Sequence, residues 1–141
     1  MDQKQIIKDI ESGKFENIYF LHGEEALFMD MITNAIVKHA LQEHERDFNQ
    51  TIIYGKEADA LSLISEAKGY PMMAERRLVV LKEAQDFRGI EDLLPYFEEP
   101  NEQTILVINY KYKKYDSRKK SMKAVAKNGI VFNVGFINRH L

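Results

Sequence analysis

Ile18-Tyr19-Phe20-Leu21-His22-Gly23-Glu24-Glu25 carries three signals in succession. The apolar run, rich in β-branched and aromatic side chains, reads as a buried strand. The glycine reads as its exit turn. The two acids read as the start of a helix, where they face the positive end of the helix dipole. Four more runs of the same character follow: Thr51-Ile52-Ile53-Tyr54, Leu78-Val79-Val80-Leu81, Ile105-Leu106-Val107-Ile108 and Ile130-Val131-Phe132. Each is bounded by polar residues or glycine, the pattern of strands covered on both faces.

Helical periodicities lie between the runs. Ile6, Ile7 and Ile10 form a stripe closed by Ser12-Gly13, and Leu27, Phe28, Met31, Ile32, Ala35 and Ile36 form a longer one. Leu61, Ile64 and Ala67 form a third, with Asp59 as N-cap and Gly69 as its stop. Ile90, Leu93, Leu94 and Phe97 form a fourth containing Pro95; Met122, Val125 and Ala126 form a fifth, opened by Asp116 or Ser117 and stopped by Asn128-Gly129. Regular alternation of helix and strand predicts one α/β domain over residues 1–141: a mainly parallel sheet of about five strands with helices on both faces. The pattern leaves strand order open. The short stretch from Asn133 to Leu141 ends soon after the last strand, as in a chain cut from something longer.

The composition is that of a folded domain: 141 residues, 45% hydrophobic, 30% charged, net charge -2. The balance gives no global basic field for nucleic acid. Without cysteine there is no thiolate nucleophile, disulfide framework or cysteine zinc site. The charged N-terminus lacks a signal-peptide core, and no apolar run approaches the ~20 residues that cross a bilayer. A cytoplasmic protein without a membrane partner is expected.

Four places invite a functional reading. The turn at Gly23, Glu24 and Glu25 sits where a phosphate-binding loop would lie, but the lysine and the Ser/Thr of such a loop are replaced by residues such as Glu25, Ala26 and Leu27. Two carboxylates there repel a triphosphate, so a plain strand-exit turn is the expectation. His39 and His44 fall on different sides of a helix, His22 lacks an evident Ser or Asp partner, and His140 is near the end; all four read as surface or structural, and no metal or cofactor is called for. Lys111 to Lys123 interleaves basic residues with tyrosines, and Lys113, Lys114, Arg118, Lys119 and Lys120 could track a nucleic-acid backbone; a solvated loop leading into a helix is the plainer reading. In Gly69-Tyr70-Pro71-Met72-Met73-Ala74-Glu75-Arg76-Arg77, two adjacent methionines cannot both enter one core. Either they cap the sheet edge, or one or both stand out for a partner's apolar pocket.

Three blocks together resemble the delta-subunit family of bacterial DNA polymerase III, a clamp-loader component. They are Ile18 to Glu25; Met72-Met73-Ala74-Glu75-Arg76-Arg77-Leu78-Val79-Val80-Leu81; and Pro100 through Lys120, with Pro100-Asn101 in reversed order and Asp116-Ser117-Arg118-Lys119-Lys120 completing the signature. The resemblance implies a first domain with the AAA+ ATPase fold and a degenerate nucleotide site. It implies no catalysis by the chain itself, within a DNA-directed DNA polymerase holoenzyme. It implies that Met72 and Met73, where the family often has leucine and phenylalanine, enter a pocket on the ring-shaped β sliding clamp and favour an opened ring, with Tyr70, Pro71 and Arg76 flanking them. It also implies a following helical lid and a collar domain that joins the other loader subunits, both absent from these 141 residues. Two other readings stand beside it: an atypical nucleotide-dependent enzyme, which would need the missing phosphate loop, and a nucleic-acid-binding module using Lys111 to Lys123.

Overall fold

A computed structural model describes residues 2–135. The chain runs α1 (Gln3–Glu11), β1 (Ile18–Gly23), α2 (Ala26–Ala40), α3 (Arg46–Asn49), β2 (Gln50–Tyr54), α4 (Ala60–Lys68), β3 (Arg77–Lys82), α5 (Leu94–Glu98), β4 (Thr104–Lys111), α6 (Lys120–Asn128) and β5 (Ile130–Asn133). The strands form one sheet in the order β2-β3-β4-β1-β5, and every pairing is parallel. Two apolar layers sandwich it. One joins Phe20, Val79, Leu81, Leu106 and Ile108 to Leu63 and Ala67 of α4, Phe97 of α5 and Val125 of α6. The other joins Tyr19, Leu21, Val80 and Val107 to Ile6 and Ile10 of α1 and Ile32 and Ile36 of α2. Alternate residues of each central strand face opposite layers, which is why these strands read as unbroken apolar runs.

Several expectations from periodicity need correction. β2 is an edge strand, and Ile52 and Tyr54 face solvent instead of lying covered on both faces. The buried line of α2 runs through Met29, Ile32, Thr33, Ile36 and Ala40, leaving Leu27 and Met31 outside. In α4, Leu63 and Ala67 are buried and Leu61 is exposed. The helix expected around Pro95 is a 3-10 turn, Ile90–Leu93, running into a short α5. Pro95 sits in the first turn of α5, where a missing N–H loses no intrahelical bond. α6 begins at Lys120, later than Asp116 or Ser117, because the Asp116 carboxylate is already occupied by Arg118 through its N–H, Nε and Nη2. The Asp59 cap is as expected: its carboxylate accepts from Ser62 N at 2.9 Å.

The connection after β1 leads through α2 to the far edge, while the connection after β4 leads through α6 to the opposite edge. β1 and β4 are neighbours, so the topological switch lies between their C-terminal ends, where open α/β sheets usually bind ligands.

Candidate functional site

With all strands parallel, the sheet has one end of strand starts and one end of strand exits. Gly23, Lys111 and the basic segment lie at the exits; residues 69–76, between α4 and β3, lie at the starts. The two candidate regions are therefore at opposite ends of the sheet.

The loop at the strand starts displays the adjacent methionines. Met73 is 96% exposed and Met72 57%, with Tyr70 at 83% beside them in sequence. Met73 has φ 56°, in the left-handed region, which opposes an L side chain by roughly 1–2 kcal/mol. Asn49, buried at the end of α3, holds the preceding residue. Its Oδ1 accepts from Met72 N at 2.6 Å, and its Nδ2 donates to Met72 O and Glu45 O, both at 2.9 Å. Each such bond contributes about 1 kcal/mol net, enough together to offset the strain at Met73. The segment is thus built to stand out.

Of the expected flanking residues, Tyr70 is exposed and Pro71 is half-buried. Arg76 turns inward. Its Nη1 donates to Ala40 O, at the C-terminus of α2, at 3.1 Å, and its guanidinium stacks 4.7 Å over the Phe15 ring. A cation at a helix C-terminus is well placed against the dipole, so Arg76 fastens the loop to the domain. Arg77 does the same from β3: it pairs with Glu66 at 2.8 Å and donates to Phe48 O. Phe48 itself is 67% exposed, adding an apolar side chain next to the residue that pins Met72. Sequence reasoning missed Phe48 and Asn49. They sit in a helix of four residues, too short for a periodicity.

At the strand exits, the turn that could cradle phosphate is filled by the chain. Gly23 N donates to Lys113 O and Glu25 N to Val134 O, both at 3.0 Å. Gly23 has φ 125°, and a Cβ there would stand 2.5 Å from Val134 O, so only glycine fits. Lys111 Nζ bridges Asp30 and Glu83 at 3.1 Å each. Burial opposes its charge, but the bonds to Glu83 and Asp30 prevail and raise its pKa, and Glu83 is lowered by bonds to Gln85 and Lys111 against its own burial. Lys111 is therefore committed inside the fold.

The rest of the basic segment is outside it. Lys113, Lys114, Arg118, Lys119 and Lys120 are exposed, with Arg118 paired to Asp116, whose carboxyl is drawn down to about 2 chiefly by that bond. Tyr115 anchors the segment: its ring packs on Phe20 and Tyr110, and its hydroxyl donates to Glu91 at 2.6 Å. His22, buried, accepts from Tyr115 N at its Nδ1 (2.8 Å), and its pKa is lowered by burial and then by Lys114. It is a structural histidine holding the loop. His39 and His44 are exposed, and His140 lies outside the described residues. Among the described residues no group of three or more His, Asp or Glu is arranged to hold a metal, and no helix is long and apolar enough to cross a membrane.

Comparison with known proteins agrees with this architecture. The chain is similar to DNA polymerase III subunit delta of Bacillus subtilis (strain 168), with 26% identity over 141 residues, covering 93% of this chain and 41% of that protein. It thus spans about two-fifths of the curated relative's length. Among solved structures it resembles the Bacillus subtilis DNA clamp loader delta protein, at TM-score 0.85 and 24% identity over 97% of this chain and 43% of the other. A more distant likeness is a DNA polymerase III gamma subunit-related protein from Thermotoga maritima, at TM-score 0.58 and 14% identity over 99% of this chain and 48% of that one. These two likenesses show that the fold is shared with those two proteins. The family profile for DNA polymerase III, delta subunit, matches residues 19–135, well over half of the sequence, and the chain belongs to that family.

Proposed function

We propose that this domain grips the β sliding clamp through Met72 and Met73, and that the grip favours an opened ring interface so that the clamp can be placed on DNA during replication. The observation that carries the reading is the pair of exposed methionines on a loop pinned by Asn49 in a conformation with φ 56° at Met73. A soluble domain gains nothing by holding two flexible apolar side chains in water; they suit an apolar pocket on a partner. Opening is differential binding: a wedge that fits the open ring better shifts the population toward it. Tyr70, Pro71 and Phe48 border the contact, and Arg76 keeps the loop in place.

On this reading the domain is a non-catalytic cytoplasmic subunit with no cofactor. The nucleotide site is degenerate in two ways: the lysine and hydroxyl are missing, and the amides of Gly23 and Glu25 are already bonded to Lys113 and Val134 carbonyls. Contacts with the other loader subunits fall to lid and collar domains in the remainder of a full-length delta subunit. The test is a titration of the chain into a β clamp labelled with a fluorescence-transfer pair across one ring interface. Saturable binding with loss of transfer supports the proposal; no binding rejects it.

A second reading has its own observation. Lys113, Lys114, Lys119 and Lys120 are exposed together at the strand exits, opposite the methionines, and α6 begins with basic residues where its dipole favours acids. An anionic backbone there would relieve that repulsion, so DNA contact is compatible with a clamp grip at the other end.

A further inference from the structure

Asn49 has no part in the apolar contact, yet its side-chain amide is fully engaged with the loop that makes it. Both Nδ2 hydrogens are directed at carbonyls, those of Met72 and Glu45, and Oδ1 accepts the Met72 N–H. Among the described residues no other hydrogen bond reaches the backbone of residues 70–75. Met73, next in the chain, has the left-handed φ that an L residue adopts only when its surroundings impose it. Without the Asn49 bonds, the strained stretch 70–75 would be held only at its Arg76 end and would sample many arrangements in water, and a partner would have to order it on binding.

We infer that Asn49 is the positioning residue of the clamp grip: it ties Met72 to the end of α3 and so presets the direction in which Met72 and Met73 project. The inference rests on the reading of those methionines as the grip. It makes the short α3 part of the binding element rather than a connector between α2 and β2. It also makes affinity depend on a residue that never touches the clamp.

The test compares Asn49→Ala, Asn49→Asp and the double variant Met72→Ala/Met73→Ala, each titrated into purified β clamp, with thermal melting of each chain as control. Asn49→Ala is expected to weaken clamp binding by about tenfold or more, through the lost ordering of the loop. Asn49→Asp gives a readout that simple packing would not move. Ionised, the new carboxylate faces two carbonyl oxygens and repels them. Protonated, it regains an acceptor for Met72 N–H and a donor for Met72 O, and burial favours that neutral form. Its affinity relative to wild type at the same pH should therefore recover between about pH 8 and about pH 5.5. If the methionine double variant keeps its affinity, the grip reading fails and takes the inference with it. If the double variant loses affinity while Asn49→Ala stays within about threefold of wild type, or Asn49→Asp shows no recovery, the inference alone is overturned. Loss of a cooperative melt in both Asn49 variants also overturns it, since Asn49 would then serve the core and not the loop.

Discussion

Replacing Met72 and Met73 together by alanine gives the most direct quantitative consequence of the proposed grip. Fully burying a methionine side chain contributes about 1.5–3 kcal/mol. Met73, 96% exposed, has nearly all of that available to a partner, and Met72, 57% exposed, has somewhat more than half. Alanine keeps Cβ and its small share of the contact. The expected loss is therefore about 2–4 kcal/mol, or roughly thirtyfold to a thousandfold in dissociation constant. Alanine also carries a Cβ, so the strain at φ 56° is unchanged and the loop backbone has no reason to move. Because both side chains face water, the melting temperature should stay within about 3 °C of wild type. Isothermal titration of each chain into purified β clamp measures the first quantity and calorimetric melting the second. A change in affinity of less than about threefold, with the fold intact, would refute the argument that these side chains carry the contact.

Two further outcomes follow from the strand-exit end. Converting Lys113, Lys114, Lys119 and Lys120 to glutamine should abolish any retention of DNA at low salt; if all four contact single-stranded phosphates, the slope of log affinity against log salt should flatten by about 3, and an unchanged slope removes the second reading. His22 should make the chain less stable in mild acid. Its folded pKa is lowered, so the unfolded chain, at about 6.5, takes up the proton first. The His22 contribution is fully present above about pH 6.5 and is lost as pH falls through the folded value. His22→Asn, whose oxygen can accept Tyr115 N–H in place of Nδ1, should flatten that share of the pH profile in urea melts between pH 7.5 and 5.5, values chosen at about one unit either side of the free histidine.

The sheet and its two layers were legible because central parallel strands are apolar on both faces, and Leu78 to Leu81 and Ile105 to Ile108 are short, β-branched runs bounded by polar residues. Legibility failed where neighbours decide the outcome. Thr51 to Tyr54 reads as a strand like the central runs, but its place at the edge leaves Ile52 and Tyr54 without a covering helix. No count of apolar residues within the run carries that information. Met72 and Met73 could be singled out because two adjacent methionines cannot share a core, yet the sequence left open which of them stands out. Both stand out, on a loop that Asn49 holds from 23 residues away. Lys111 shows the converse: it opens the basic segment in sequence but is drawn inside by Asp30 and Glu83, from α2 and from the residue just after β3.

The placement of these features bears on how the proposed grip would work. Ligands of open α/β sheets gather at the strand exits near the topological switch, and here that region is closed by Gly23, Lys113, Val134 and the Lys111 bridge. There the amides of Gly23 and Glu25 are already bonded to the carbonyls of Lys113 and Val134. The methionine loop at the strand starts is likewise fixed, by Asn49, Arg76 and Arg77. Both ends of the sheet are thus tied by hydrogen bonds made within the chain. On the proposed reading, a wedge of this kind biases its partner's conformation, and the timing of its presentation would come from movement of the whole domain relative to its neighbours.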